Sequence, residues 1–196
     1  MALQRRHFAA LAGLGVLSLR PHSAQAVTRR DLDEAAAPAL RRLREGHGTQ
    51  VMASTAKAIL VFPQILRAGF GVGGQYGNGV LYHGGHPART HNHTPAPFSA
   101  MGYYNIAGAS YGLQIGAQAF GLGMFFMTDA ALAFFHDSAG WEIGTGPSVV
   151  ALDSGAATSM TSSTLTQPVY SVTFGQTGLM AAIGLQGNKI TRITPD

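Results

Sequence analysis

The stretch that decides the fold is Gly69-Phe-Gly-Val-Gly-Gly-Gln-Tyr-Gly77, which follows the apolar run Ala58-Ile-Leu-Val-Phe62. Gly69, Gly71 and Gly73 recur at every second position, so they share one face of an extended strand. Glycine weakens a strand unless another backbone approaches it closely or the sheet bends sharply. The pattern therefore predicts a tightly coiled sheet that packs against a helix.

Short strand-like segments make up most of the chain from Ala58 onward, and turn residues separate them. Pro63 is predicted to close the first apolar run. The predicted strands after it cover residues 69–82, 107–119, 122–128, 148–152, 169–174 and 180–193.

Helical signals precede these strands. Leu32, Ala36, Leu40 and Leu43 recur at helical spacing, and Pro38 is predicted to kink this helix or to start a second piece. Two shorter helices are predicted over residues 49–57 and 129–136, the latter capped by Thr128 or Asp129. This order predicts an α+β fold, in which N-terminal helices pack on a Gly-rich, strongly coiled antiparallel sheet or barrel.

The first 26 residues have the organisation of a cleavable export signal. Arg5, Arg6 and His7 form a basic start, residues 8–19 form a short apolar run, and Ala24-Gln-Ala26 offers small residues for cleavage. The Arg5-Arg6 pair resembles a twin-arginine signal. We therefore expect a single domain over residues 27–196 that is periplasmic or secreted.

Removal of this signal changes the charge of the protein. The full chain has a net charge of +4, and the signal holds three arginines and no acid, so the remainder carries 4 − 3 = +1. This small charge gives no support for nucleic-acid binding. The chain has no cysteine, which excludes disulfides and a lipid-modified cysteine anchor. No Asp or Glu lies between Gly46 and Thr128, which favours a surface that faces anions.

Two short motifs suggest enzymes, but their surroundings do not fit. Residues 69–74 match the dinucleotide-binding fingerprint GxGxxG, yet a poor helix former follows and no acid occurs until Asp129. Gly108-Ala-Ser-Tyr-Gly112 matches the GxSxG elbow of serine hydrolases and would make Ser110 the nucleophile. That fold expects its histidine well downstream, whereas the last histidine is His136, and the residues after Ser110 alternate as a strand does.

Histidines crowd one segment of the chain, at His83, His86, His91 and His93. His91 and His93 would point the same way on an extended backbone, as a metal-binding pair does. No carboxylate or thiolate lies nearby to complete a ligand set, so we predict a solvated loop, with neither a metal nor a cofactor. Trp141 is predicted to be a core or rim aromatic residue.

Several separate blocks together resemble the SYLF domain family, from about Leu32 to Ile193. The blocks are Ala56-Lys-Ala-Ile-Leu-Val-Phe-Pro63, residues 68–77, Tyr103-Tyr-Asn105, residues 109–118, Phe125-Phe-Met-Thr-Asp129, Gly140-Trp-Glu-Ile-Gly144, residues 178–187 and Lys189-Ile-Thr-Arg192. The segment from His83 to Ala100 departs from the family pattern, which has a shorter connection there.

The resemblance implies lipid binding without catalysis, and it makes actin a family property that we do not expect of a bacterial protein outside the cytoplasm. We therefore expect an exported domain that associates peripherally with anionic phospholipid at a membrane surface. Two alternatives stay open: a serine esterase that uses Ser110, and a structural protein of the cell envelope. The basic side chains expected to contact lipid are Lys57, Arg67, Lys189 and Arg192, with Arg41, Arg42 and Arg44 as a second group.

Overall fold

The computed structural model describes residues 27–84, 99–178 and 184–196. The helices are α1 (Arg29–Glu45), α2 (Gln50–Thr55), α3 (Asp129–Asp137) and α4 (Ser154–Thr158). The strands are β1 (Ala58–His83), β2 (Ala100–Phe126), β3 (Trp141–Glu142), β4 (Val149–Leu152), β5 (Val169–Gly178) and β6 (Lys189–Ile193). The export signal predicted over residues 1–26 lies outside the described residues.

The sheet is a strongly curled, mostly antiparallel half-barrel, with α1 packed on one of its faces. β1 and β2 pair along their whole length, from Ala58 opposite Phe126 to Tyr82 opposite Ala100. The other side of β2 pairs with β6 near its start and with β5 near its end. Only β4 and β5 run parallel among the described strands. The predicted α+β class is confirmed.

The glycines of β1 allow this strand to pass closely over itself. A Cβ placed at Gly77 would lie 2.7 Å from the carbonyl oxygen of Gln64, and one at Gly79 would lie 2.7 Å from that of Val61. A Cβ at Gly123, in β2, would lie 2.5 Å from a methyl carbon of Leu43 in α1. The predicted strongly coiled sheet with helices packed on it is confirmed, and the close approach of a helix to a glycine occurs at Gly123 of β2.

Several boundary predictions are wrong. The strand predicted over residues 180–193 begins only at Lys189, since residues 184–188 form no strand. Pro63 does not end the first strand, because β1 carries an extra residue between Phe62 and Ile65 relative to β2, and such a bulge accommodates a missing N–H donor. Similarly, residues 107–119 and 122–128 were predicted as separate strands, but β2 runs through both up to Phe126.

The predicted break at Pro38 is also absent, since α1 is one continuous helix. Its buried stripe packs against the sheet on both sides of the proline, and this packing offsets the lost hydrogen bond. The buried residues of the stripe are Leu32, Ala36, Ala39, Leu40 and Leu43. The helix predicted over residues 129–136 is confirmed as α3, and its N-cap is Thr128, whose side chain accepts from the Ala131 N–H.

Thr28 and Asp31 form a capping box at the start of α1. The Asp31 carboxylate accepts from the Thr28 hydroxyl at 2.7 Å and from its N–H at 3.2 Å. These bonds, the hydroxyl first, hold the pKa of Asp31 below its usual value. The carboxylate therefore adds stability above the unfolded-state pKa of about 3.9, and this contribution is lost as the pH falls through the lower folded-state pKa.

We expect Asp31→Ala to lower the urea midpoint at pH 7, because the variant cannot accept these two bonds. The difference between wild type and variant should shrink as the pH is lowered and vanish once the carboxylate is protonated in both states. Urea unfolding between pH 7 and pH 2 measures this. A difference that stays constant over the whole range would contradict the assignment.

Candidate functional site

The helix α1 covers only one end of its face of the sheet, and none of the described helices covers the other end, at the middle of β1. At the two ends of the strand β1, α1 packs on this face against Ile59, Val61, Val80 and Tyr82. Toward the middle of β1 none of the described helices lies over the same face, and four large apolar side chains are exposed there. They are Leu66 at 59%, Phe70 at 81%, Val72 at 60% and Tyr76 at 52%. We call these four residues the apolar tip.

The alternation of β1 explains why these side chains point outward. Arg67, Gly73 and Gln75 are buried, and the even-numbered residues between them are exposed. The bulge after Phe62 shifts the alternation by one residue, so Leu66 lies on the face of Ile59 rather than on the opposite one. The exposed face of the tip is therefore the direct continuation of the helix-covered face.

The neighbours of the apolar tip are small and uncharged. Ala107, Ala109 and Ala117 are exposed on β2 opposite Tyr76, Gly74 and Ala68. One strand further, Lys189 of β6 is the register partner of Ala107 and is also exposed. Register partners on neighbouring strands point to the same face of the sheet, so Lys189 lies on the face of Tyr76, at the margin of the apolar tip. Two strand spacings, roughly 10 Å, separate Lys189 from Tyr76.

The structure places the four main predicted basic residues in different surroundings. Lys57 forms an exposed ion pair with Asp129, with 3.0 Å between Nζ and Oδ2. Arg67 is buried at 6% exposure, beneath the apolar tip. Lys189 borders the tip, and Arg192, three residues along β6, is exposed at the other end of that strand.

The second predicted group, on α1, is also divided. Arg41 is exposed. The Arg42 guanidinium lies 5.7 Å from the ring centroid of Phe174. Arg44 donates from Nη2 to the His83 carbonyl at 2.6 Å, and burial lowers the pKa of its guanidinium. The seven predicted basic side chains therefore do not form one patch.

A cavity, which we call the basic cleft, lies at the edge of β6 and the start of α1. It has a volume of about 310 Å³ and is lined by Arg29, residues 100–103 and residues 192–195. Arg192 was predicted to contact ligand, but Arg29 was not. Arg29 and Arg192 are 163 residues apart in the sequence, so their positions around one cavity could not be predicted from it.

The apolar tip was also missed from the sequence, although a signal for it was present. In residues 69–77, the odd-numbered positions are glycine except for Gln75. The even-numbered positions are large and apolar except for Gly74, and they hold Phe70, Val72 and Tyr76. An apolar set opposite a glycine set indicates either a second covered face or an exposed apolar surface. The structure shows that it is exposed.

Both enzyme motifs lie inside long strands. Residues 69–74 belong to β1, which continues to His83 with no helix after the motif. Ser110 belongs to β2, which continues to Phe126, so the strand-to-helix turn of a hydrolase elbow is not formed there. The prediction that the residues after Ser110 form a strand is confirmed.

Trp141 is a core residue, as predicted, with 1% exposure and an indole N–H that donates to the Thr145 carbonyl at 2.8 Å. His86, His91 and His93 lie outside the described residues. In the described part of the chain, no three metal-binding side chains come together, and no helix is long and apolar enough to cross a membrane.

Comparison with known proteins identifies the later part of the chain. Residues 107–194 match the family Ysc84, described as Las17-binding protein actin regulator. No curated protein matches the chain. The matched region begins in β2 and includes β5 and β6, so it contains the strands that carry Lys189 and Arg192. Residues 107–194 therefore belong to the Ysc84 (SYLF) domain family.

Proposed function

We propose that this protein is an exported, non-enzymatic domain that associates peripherally with anionic phospholipid, and that the apolar tip is its membrane contact. Members of the Ysc84 family bind lipid and actin, and the family is generally non-enzymatic. Of these partners, a lipid surface suits the apolar tip best. The export signal over residues 1–26 is part of the proposal, and it places the domain at an envelope membrane.

The observation that carries the proposal is the exposure of Phe70, Leu66, Val72 and Tyr76 on one uncovered sheet face. A contiguous exposed apolar patch marks a surface that is covered when the protein works. Transfer of one such large apolar side chain from water contributes about 1.5–3 kcal/mol. Four of them supply enough free energy for reversible binding without a membrane-spanning helix.

Charge supports a preference for anionic lipid. No Asp or Glu occurs in either β1 or β2, so the strands around the tip carry no group that anionic headgroups would repel. Lys189 lies two strands from Tyr76, but Glu142 of β3 is its register partner on the far side. It therefore adds less than the about 1 kcal/mol that an unopposed basic side chain contributes near an anionic surface. The other predicted basic residues are proposed as weaker contributors, because Arg67 is buried beneath the tip and the rest lie outside it: Lys57, Arg192, Arg41, Arg42 and Arg44.

We expect Phe70→Ser to weaken binding to anionic vesicles about tenfold or more, since it removes the most exposed apolar side chain of the tip. Co-sedimentation of residues 27–196 with phosphatidylglycerol-containing vesicles at low salt measures this. The wild type should bind these vesicles more tightly than vesicles of phosphatidylcholine alone.

The matched control is Phe134→Ser on α3, which also removes an exposed phenylalanine, at 42% exposure, but away from the tip. This variant should bind as the wild type does. Equal binding to neutral and anionic vesicles would refute the anionic preference. Equal loss in both phenylalanine variants, or no loss in either, would refute the apolar tip as the contact.

A further inference from the structure

A second cavity lies where the end of α1 meets β5 and α4. It has a volume of about 220 Å³ and is lined by residues 42–43, 46–49, 157–158 and 172–174. We call it the helix-end cavity. Its floor belongs to the buried core, because Leu43, Ala157 and Val172 line it and each is at most 2% exposed. The half-buried side chain of Phe174 also lines it.

The loop after α1 closes this cavity on the side of α4. Gly48 lies so close to α4 that a Cβ there would be 2.7 Å from the main-chain nitrogen of Thr158. Gly46, the other glycine of the loop, likewise has no side chain that could fill the space. Protein interiors are otherwise closely packed, so a hollow of this size on an apolar floor is a volume that a ligand can fill.

The polar groups of the lining already have hydrogen-bond partners. The Arg42 carbonyl accepts from the Gly46 N–H at 2.9 Å, and the Gly46 carbonyl accepts from the Gln50 N–H at 2.8 Å. The buried Thr49 hydroxyl donates to the same Gly46 carbonyl at 3.4 Å. None of the lining side chains holds a buried polar atom without a partner. Apolar cavities of this kind take apolar groups in preference to water.

One positive charge stands at the rim of the helix-end cavity. Arg42 is exposed, and its guanidinium lies 5.7 Å from the ring centroid of Phe174, which places it beside the apolar lining. Arg42 forms no ion pair with any acid in the described part of the chain, Glu45 on the same helix included. No Asp or Glu lines the cavity either. The site therefore combines an apolar floor with a cationic rim.

We propose that the helix-end cavity binds a linear aliphatic carboxylate, with its chain on the apolar floor and its carboxylate at Arg42. A guanidinium offers two parallel N–H donors that match the two oxygens of a carboxylate. Pockets for drug-sized molecules have volumes of about 300–1,000 Å³, and this cavity is smaller. It therefore suits a short chain such as octanoate, and it is too small for a phospholipid with two long chains.

This inference goes beyond the proposed function, because it concerns a single molecule taken from solution rather than a membrane surface. None of the four residues of the apolar tip lines the helix-end cavity. The two sites can therefore be tested with different variants and different probes.

The first test is calorimetric titration of the full chain with butanoate, hexanoate, octanoate and dodecanoate at pH 7. We expect saturable binding of octanoate. From butanoate to octanoate the affinity should rise about fourfold for each added CH2 group, since each one is transferred from water to the apolar floor. Between octanoate and dodecanoate the rise per CH2 should become smaller, because the cavity is then full.

The second test separates the charge from the chain, with 1-octanol as the uncharged probe. Arg42→Gln should weaken octanoate binding about fivefold, the upper range for an exposed ion pair, and should leave octanol binding unchanged. Arg41→Gln removes an exposed arginine that does not line the cavity, and it should affect neither probe. Phe174→Ala should weaken both probes, and circular dichroism checks that this variant is folded.

The proposal is overturned if octanoate does not saturate, if affinity does not depend on chain length, or if Arg41→Gln weakens octanoate binding as much as Arg42→Gln does. These outcomes do not depend on the folding of the Phe174 variant.

Phe70→Ser distinguishes this inference from the proposed function. It should leave octanoate binding unchanged while it weakens vesicle binding. Loss of octanoate binding in this variant would place the ligand on the apolar tip and overturn the cavity site. Octanoate binding in a protein with no vesicle affinity would instead refute the membrane proposal alone.

Discussion

Gly77→Ala is expected to destabilise the protein by about 3 kcal/mol, although it adds a single methyl group. The new Cβ would lie 2.7 Å from the Gln64 carbonyl oxygen and 3.1 Å from the Ile65 Cα. Both are backbone atoms of the same strand, so no side-chain rotation can relieve the overlap. The two halves of β1 would have to separate. Urea unfolding followed by circular dichroism gives the loss as a lower midpoint.

The matched control lies three residues away. A Cβ at Gly74 would meet its nearest atom, the Gly108 carbonyl oxygen, at 3.7 Å, which is an ordinary contact. Gly74→Ala should therefore change the stability by less than about 1 kcal/mol, with any gain coming from reduced freedom of the unfolded chain. Equal losses in the two variants would contradict close approach of the backbone as the reason for glycine at position 77.

Phe126→Ala is expected to cost about 4 kcal/mol, the largest effect of a single truncation that we predict. Phe126 has no exposed surface, and its ring centroid lies 4.9 Å from that of Phe135 and 6.1 Å from that of Trp141. Removal of the ring leaves a cavity where the end of β2, α3 and β3 meet. Thermal and urea unfolding both measure this loss.

Phe134→Ala serves as the comparison, since Phe134 lies next to Phe135 on α3 but is 42% exposed. Its loss should cost only about 1 kcal/mol, because its ring already contacts water in the folded state. If the Phe126 variant proved as stable as the Phe134 variant, the aromatic cluster would not be the packed centre of the half-barrel.

The class of this fold could be predicted from the sequence, because the signals for it are local. Helical spacing from Leu32 to Leu43 and the glycines of residues 69–77 are each visible within a short window. Strand ends could not be predicted as well. Pro63 normally ends a strand, and only the pairing with β2 shows that it sits at a bulge.

The candidate site was harder to predict, because its parts are assembled by register. Lys189 could be chosen from the sequence as a basic residue, but its position beside Ala107 and Tyr76 depends on two strand pairings. Arg29 and Arg192 line one cavity only because the start of α1 lies beside the end of β6. Long-range pairings of this kind leave no periodicity in a single sequence.

The pairing of β1 with β2 also has a consequence for how the chain folds. The pair nearest in sequence is Tyr82 with Ala100, 18 residues apart, and the most distant is Ala58 with Phe126, 68 residues apart. Every intermediate pair is nested between these two, so pairing can proceed outward from the pair nearest in sequence, and each step adds little closure entropy. We expect the connection between Tyr82 and Ala100 to set the folding rate: a longer insertion there should slow refolding while unfolding proceeds as before.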